Sequence, residues 1–179
     1  MKKLIPFLLT FLYPAITQAD CIQEASQFHT VNPTVLRAII LIESGGKAHT
    51  ISKNSNDTYD YGVGGINSIL LPELKTHGIA PTDLMNPCVN VYVTAWHLRK
   101  KIAQHGNTWY GIAAYHSATP YYNNRYQVLL YNALLDLGAI TGSKRKVPPL
   151  RPAGNKTESP STKKQKKEEP SSSMVVVNN

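Results

Sequence analysis

Residues 35–46 read "VLRAIILIESGG", and the reading of this stretch decides the rest. Leu36, Ile39, Ile40 and Glu43 stand at i, i+3, i+4 and i+7, so one helical face carries three aliphatic side chains and a carboxyl. Burying an ionised carboxylate is costly unless it is paired. Glu43 also ends its helix, where the macrodipole is negative and disfavours a further negative charge. Both effects raise a carboxyl pKa, and a raised pKa suits a general acid that must hold its proton near neutral pH. The alternative is a helix-terminal glutamate that turns to solvent or pairs with Lys47.

The helix holding Glu43 is well punctuated. Asn32 can cap it, Pro33 occupies its first position, and Gly45 and Gly46 stop it. Before it, "CIQEASQFH" can form a short helix. After it, "TISKNSNDTYDYGVGG" has turn residues and no helical period, which suits a small hairpin or an irregular loop. "INSILLPELKTHG" reads as a helix broken near Pro72. "NPCVNVYVTAWHLRKKIAQHG" reads as a longer helix with Val89, Val93, Trp96 and Lys100 along one side. "TWYGIAAYHS" makes a short buried helix, and "YNNRYQVLLYNALLDLG" closes the domain at Gly138. The sum is an α+β domain, mostly α-helical, with a small β or loop excursion.

The two ends differ from this middle. "MKKLIPFLLTFLYPAITQAD" places two lysines before an apolar run and a small-residue site, the layout of a signal peptide over 1–19. The run is short for a bilayer span, and Pro6 and Pro14 interrupt it. Export to the periplasm follows as the expected localisation. It permits a disulfide, and the two cysteines beyond the leader allow one intramolecular pairing, Cys21 to Cys88, with two free thiols as the alternative. Residues 143–179 are rich in proline, serine and charge without an apolar period, and read as a disordered basic tail. That tail either serves as a solvated linker or attaches electrostatically to an acidic partner. Residues 20–142 carry eight Lys and Arg against eight Asp and Glu, so the formal charge of +8 resides at the ends. The balanced middle gives no basic surface, and no nucleic-acid partner is expected.

Several ordered blocks carry a resemblance. "ES" at Glu43–Ser44, then "DYGVGGINS" at Asp60–Ser68, then "LPELKTHGI", "NPCVNVYVTAWHL" and "YHSATPYYNNRY" are similar to the lysozyme-like muramidases. Within them they look most like the specialised lytic transglycosylases (SLT domain) of conjugation and type III or type IV secretion systems, whose mature domain also carries a cysteine near its start. The resemblance covers 20–137 and implies a lysozyme-like fold for 20–142. It implies that Glu43 protonates the glycosidic oxygen between N-acetylmuramic acid and N-acetylglucosamine in peptidoglycan glycan strands, without cofactor or metal. It also implies that Ser44 and Tyr115 line the cleft, and that the turn at Gly62 brings backbone near the sugar. Asn67 and Ser68 would begin the next helix and hydrogen-bond the loop. Residue by residue the alternatives stay open: Tyr115 as a core aromatic, Asn67 as a cap alone.

The pattern also departs from the family. Relatives usually read Gly-Leu-Met-Gln-Ile or Gly-Ile-Leu-Gln-Ile where this chain has "GVGGI", so Gly64 and Gly65 replace a large apolar residue and a glutamine that reaches the substrate. His116 stands where many relatives carry asparagine, and is the candidate to supply a polar contact instead.

Asp60 leaves two mechanisms. As a second carboxylate it would support a lysozyme-type hydrolase, and its alternative is a turn residue bonding backbone amides. A lytic transglycosylase needs one acid, because the sugar's own 6-hydroxyl closes a 1,6-anhydro ring. The later blocks favour the transglycosylase, acting locally to open the wall for a secretion or conjugation apparatus. A non-catalytic glycan-binding assembly factor is the rival reading, with Gly65 as a mark of decay. Metal-dependent and serine-nucleophile hydrolysis lack their signatures, since the six histidines are scattered and no G-x-S-x-G elbow occurs.

Overall fold

A computed structural model describes residues 18–150. The expected leader lies outside the described residues except for Gln18 and Ala19, and the expected tail lies outside them from residue 151. Six helices and a small sheet follow in chain order. The first two helices, α1 (Gln18–His29) and α2 (Pro33–Ser44), precede strands β1 (Ile51–Lys53), β2 (Tyr59–Tyr61) and β3 (Ile66–Asn67). Helices α3 (Leu71–Thr76), α4 (Pro87–His105), α5 (Trp109–Ala113) and α6 (Pro120–Asp136) complete the domain. The mostly helical α+β class expected from the sequence is the one the chain adopts.

Local chemistry sets the ends of α2. The Asn32 side chain accepts from the amides of Thr34 and Val35 at 2.8 and 3.2 Å, and Gly45 closes the helix at φ 64°. Between these caps Val35, Leu36, Ala38, Ile39 and Ile40 are buried, which places α2 at the centre of the main core. Helix α4 is apolar on two sides. Val91, Ala95 and Leu98 belong to the main core, where α4 packs against α1, α2 and α5. Val93 joins Ile66, Leu74 and Leu84 in a second core, with Trp96 packed against it. The single stripe expected on α4 therefore describes only the side facing the second core.

The expected excursion is a three-stranded antiparallel sheet in the order β1-β2-β3, with Asp60 opposite both Ser52 and Asn67. The segment expected as one helix broken at Pro72 starts instead as strand β3 and a 3-10 turn over Ser68–Leu70. Pro72 then sits in the first turn of α3, where its missing N–H costs nothing. A stretch such as Ile66–Leu71, with Asn67 and Ser68 between its apolar residues, suits either element, and pairing with β2 decides it. Cys21 of α1 and Cys88 at the start of α4 form a disulfide with Cα atoms 5.3 Å apart. Closing a loop of 67 residues, it constrains the unfolded chain by about 4 kcal/mol.

Residues 144–150 have no helix or strand, yet they are held as a strap that runs back along α6. Lys144 pairs with Asp136 at 2.7 Å. The backbone of Arg145 exchanges two 2.8 Å bonds with the Asn132 side chain, and its guanidinium lies 3.9 Å from the Tyr131 ring centroid. Arg125 Nε donates to the Pro148 carbonyl at 2.9 Å, and Tyr121 donates to that of Pro149 at 2.6 Å. These contacts lie beyond residue 142, the end of the domain expected from the sequence. Side-chain bonds to backbone leave no hydrophobic period, which is why the sequence hid them.

Candidate active site

The end of α2 and the start of β3 form the floor of a cleft of about 560 Å³, bounded by the sheet, α4 and the turn from α5 into α6. Glu43 and Gly65 lie in the floor, Asp60 on the sheet side, and Tyr115 and His116 on the helical side. The structure therefore brings four residues singled out from sequence, Glu43, Asp60, Tyr115 and His116, into one cavity with Gly65.

Glu43 is fixed by a partner absent from the sequence reading. The buried Tyr126 hydroxyl, on α6, donates to Glu43 Oε1 at 2.6 Å. Oε2 makes no hydrogen bond to a described residue and lies on the Gly65 side: a Cβ added to Gly65 would stand 2.9 Å from it. Burial pushes the Glu43 carboxyl up from its ordinary 4.5 to about 7, the Tyr126 bond works against this rise, and the charge of Asp60 adds to it. A carboxyl in this state still holds its proton in a large fraction of molecules at neutral pH and can also take one up, as a single acid–base group must. Tyr126 is itself covered by His116, whose ring stacks parallel to it at 5.0 Å and an interplanar angle of 3°. Burial lowers the His116 pKa, with the charge of Arg125 acting in the same sense and Asp60 opposing it.

Asp60 is held by side chains rather than by backbone amides. Its Oδ2 accepts from Asn54 Nδ2 at 2.9 Å and its Oδ1 from Asn67 Nδ2 at 2.7 Å. Asn67 is its cross-strand neighbour, so the sheet register itself delivers one of the two donors. Asn67 also caps the following 3-10 turn through Ile69 N, and Ser68 Oγ accepts from Tyr59 N. Both expectations for Asn67, cap and loop partner, are met by its two ends.

Other singled-out residues build the cleft from behind. Ser44 Oγ donates to the Val63 carbonyl at 2.8 Å, tying the end of α2 to the glycine loop. Tyr115 lines the cleft with its ring, but its hydroxyl is spent on the Gly64 carbonyl at 2.6 Å. Gly62 turns at φ 66° as expected, yet it is buried and its close neighbour is not a sugar site. A Cβ there would meet Asn90 Nδ2 at 2.2 Å and the Leu84 carbonyl at 2.5 Å. Fully buried Asn90, overlooked in the sequence, clamps this loop from α4: Nδ2 donates to the carbonyls of Tyr61 and Leu84, and Oδ1 accepts from Gly64 N. Next to it Thr94 explains one departure from the family pattern. A Cβ on Gly64 would stand 1.8 Å from Thr94 Oγ1, so α4 already fills the space of the expected large side chain.

One signal could have found Tyr126. With Leu130, Ala133 and Leu134 it falls at i, i+4, i+7 and i+8, a hydroxyl on an oily stripe facing a carboxyl on another.

Comparison with known proteins gives the family of the chain. The transglycosylase SLT domain family matches residues 20–127. A peptidoglycan-binding-like protein of Escherichia coli O157:H7 is 32% identical over 127 residues, covering 65% of this chain and 76% of that protein. Protein IpgF of Shigella flexneri is 29% identical over 120 residues, covering 66% and 78%. Invasion protein IagB of Salmonella typhimurium strain SL1344 is 32% identical over 102 residues, covering 56% and 64%. A lysozyme-like helical domain, a cleft floored by a protonatable glutamate and a family match over most of the described residues lead to one assignment: the chain belongs to the transglycosylase SLT family, the lytic transglycosylases of peptidoglycan.

Proposed function

We propose that Glu43 is the acid and then the base in cleavage of the β-1,4 bond between N-acetylmuramic acid and N-acetylglucosamine, with a 1,6-anhydro product. The observation that carries this reading is the Glu43 carboxyl, raised to about 7 on the cleft floor with Oε2 free and Oε1 bonded to Tyr126. The proton passes from Oε2 to the glycosidic oxygen, and the C1–O bond breaks. The resulting oxocarbenium ion is positive, and Asp60 supplies a fixed negative group across the cleft. Glu43, now ionised and supported by the Tyr126 hydroxyl, removes the proton of the muramic acid 6-hydroxyl. That oxygen bonds to C1, and the acid is regenerated without water.

A second reading, the lysozyme-type hydrolase, rests on Asp60. Two amide donors hold both of its oxygens in the same cleft as Glu43, as a nucleophile or an electrostatic stabiliser would require. Incubation of the protein with purified peptidoglycan, followed by mass spectrometry of the soluble products, separates the two. Anhydro-muropeptides, abolished by Glu43→Gln, support the first reading. Reducing-end muropeptides, abolished also by Asp60→Asn, support the second. No release above that of Glu43→Gln would favour a binding role alone.

The setting we infer is local opening of the wall from the periplasm, after export directed by residues 1–19, for an envelope-spanning secretion or conjugation apparatus. The family resemblance and a relative named an invasion protein support it. Among the described residues no helix is long and apolar enough to cross a membrane. Fractionation of cells for the protein, and transfer or secretion assays in a deletion strain, test this setting.

A further inference from the structure

The α4 wall of the cleft carries two groups that the chemistry at Glu43 does not use. Lys101 lines the cavity, is half-buried, and makes no ion pair or hydrogen bond with a described residue. Its neighbour Lys100 is engaged elsewhere, in an ion pair with Glu73 and over the Trp96 ring at 4.5 Å. One turn before Lys101, His97 lines the same cavity, is 9% exposed, and buries its Nδ1 without a partner. A buried polar atom without a partner costs free energy, and the ring's other polar contact is a hydrogen bond with the Tyr115 backbone. Tyr115 fixes the ring edge-on at 5.0 Å. Burial above all, with the charge of Lys101, lowers the His97 pKa to about 4, so its ring is neutral and Lys101 is the cation of this wall.

The cleft is therefore divided in charge. Glu43 and Asp60 occupy the floor and sheet side, and Lys101 the α4 wall. The sugar backbone of peptidoglycan is uncharged and calls for no cation. Its anions are the carboxylates of the peptide stems, which hang from the lactyl group of every second sugar. We propose that Lys101, with His97 beside it, forms a subsite for the carboxylate-bearing lactyl-peptide stem of muramic acid. The inference rests on the muramidase reading, and it makes the enzyme selective for strands that still carry their stems. The lysine contributes the charge, and the neutral His97 ring is its neighbour on the same wall.

The test compares two polymers: intact glycan strands with stems, and the same strands stripped of stems by an amidase. For wild type, KM is expected to be roughly two- to fivefold lower on the intact strands, the range for a solvent-accessible ion pair. The preference is expected to shrink at 0.5 M salt, where screening is strong. In Lys101→Glu and Lys101→Met the preference disappears, whereas Lys75→Glu, an exposed residue on α3 outside the cleft, keeps it. Equal KM on both polymers for wild type, or a preference retained by both Lys101 variants, overturns the proposal and leaves the muramidase reading intact. If wild type cuts neither polymer, that reading falls instead. Co-sedimentation of the Glu43→Gln protein then decides the subsite: binding to intact strands only, lost with Lys101→Glu, supports it, and equal binding to both polymers overturns it.

Discussion

Replacing Glu43 by glutamine isolates the energy stored at the cleft floor. Glutamine keeps the volume and still accepts the Tyr126 hydroxyl, but it cannot ionise. The folded wild type binds its Glu43 proton with a pKa of about 7, against 4.5 for the ordinary group. Between these values the folded state holds more protons than the unfolded state, so stability falls as pH rises through the window. A shift of that size corresponds to about 3 kcal/mol, fully present as stability below pH 4.5 and lost above pH 7. The glutamine variant has no such loss. Urea unfolding of both proteins at pH 4 to 9, with the disulfide intact, gives the difference, and all other titrations cancel in it. Near pH 4 the two stabilities should differ by a constant offset. By pH 8 the variant should have gained about 3 kcal/mol on wild type. Parallel curves across the whole range would refute the reasoning, because they would mean that Glu43 ionises as easily folded as unfolded.

Three further outcomes follow from the packing. Tyr126→Phe removes a hydrogen bond that favours the ionised carboxyl, so the alkaline limb of the kcat/KM profile should move upward by about 1–2 pH units, and an unmoved limb would contradict the role given to that bond. Gly64→Ala drives a Cβ into Thr94 and should destabilise the domain by about 1–3 kcal/mol in denaturant unfolding, with Thr94→Ala restoring part of the loss in the double variant. Truncation after Gly142 removes the strap on α6 and should cost about 1–2 kcal/mol against truncation after Leu150; equal stabilities would show that the strap contributes nothing.

What the sequence revealed and what it hid divide along physical lines. Helix α2 was readable because its signals are local: Asn32 and Gly45 cap it, and its apolar period exposes Glu43 as an anomaly. Asp60 and Asn67 could be marked as polar residues near turns, but their mutual bond depends on the β2–β3 register, which no single residue encodes. Tyr126 meets Glu43 from 83 residues away, so only the packing of α6 on α2 reveals the pair. Gly64 looked like a loss against the family pattern. It is a complement to Thr94 on another helix, and such size-for-size exchanges are invisible without the partner. Gly62 was assigned to the substrate side because a glycine announces close approach without saying to what, and the answer was Asn90. The strap is hidden because proline and lysine imply solvation when read as composition, whereas here backbone groups, the Lys144 ammonium and the Arg145 guanidinium make the contacts.

The central claim is that a buried, Tyr126-bonded Glu43 keeps its proton close to neutrality. Titration of the carboxyl carbon of Glu43 by ¹³C NMR in the disulfide-bonded protein, assigned with Glu43→Gln, measures this directly. A midpoint near 7 is expected. A midpoint near the ordinary 4.5 would contradict it.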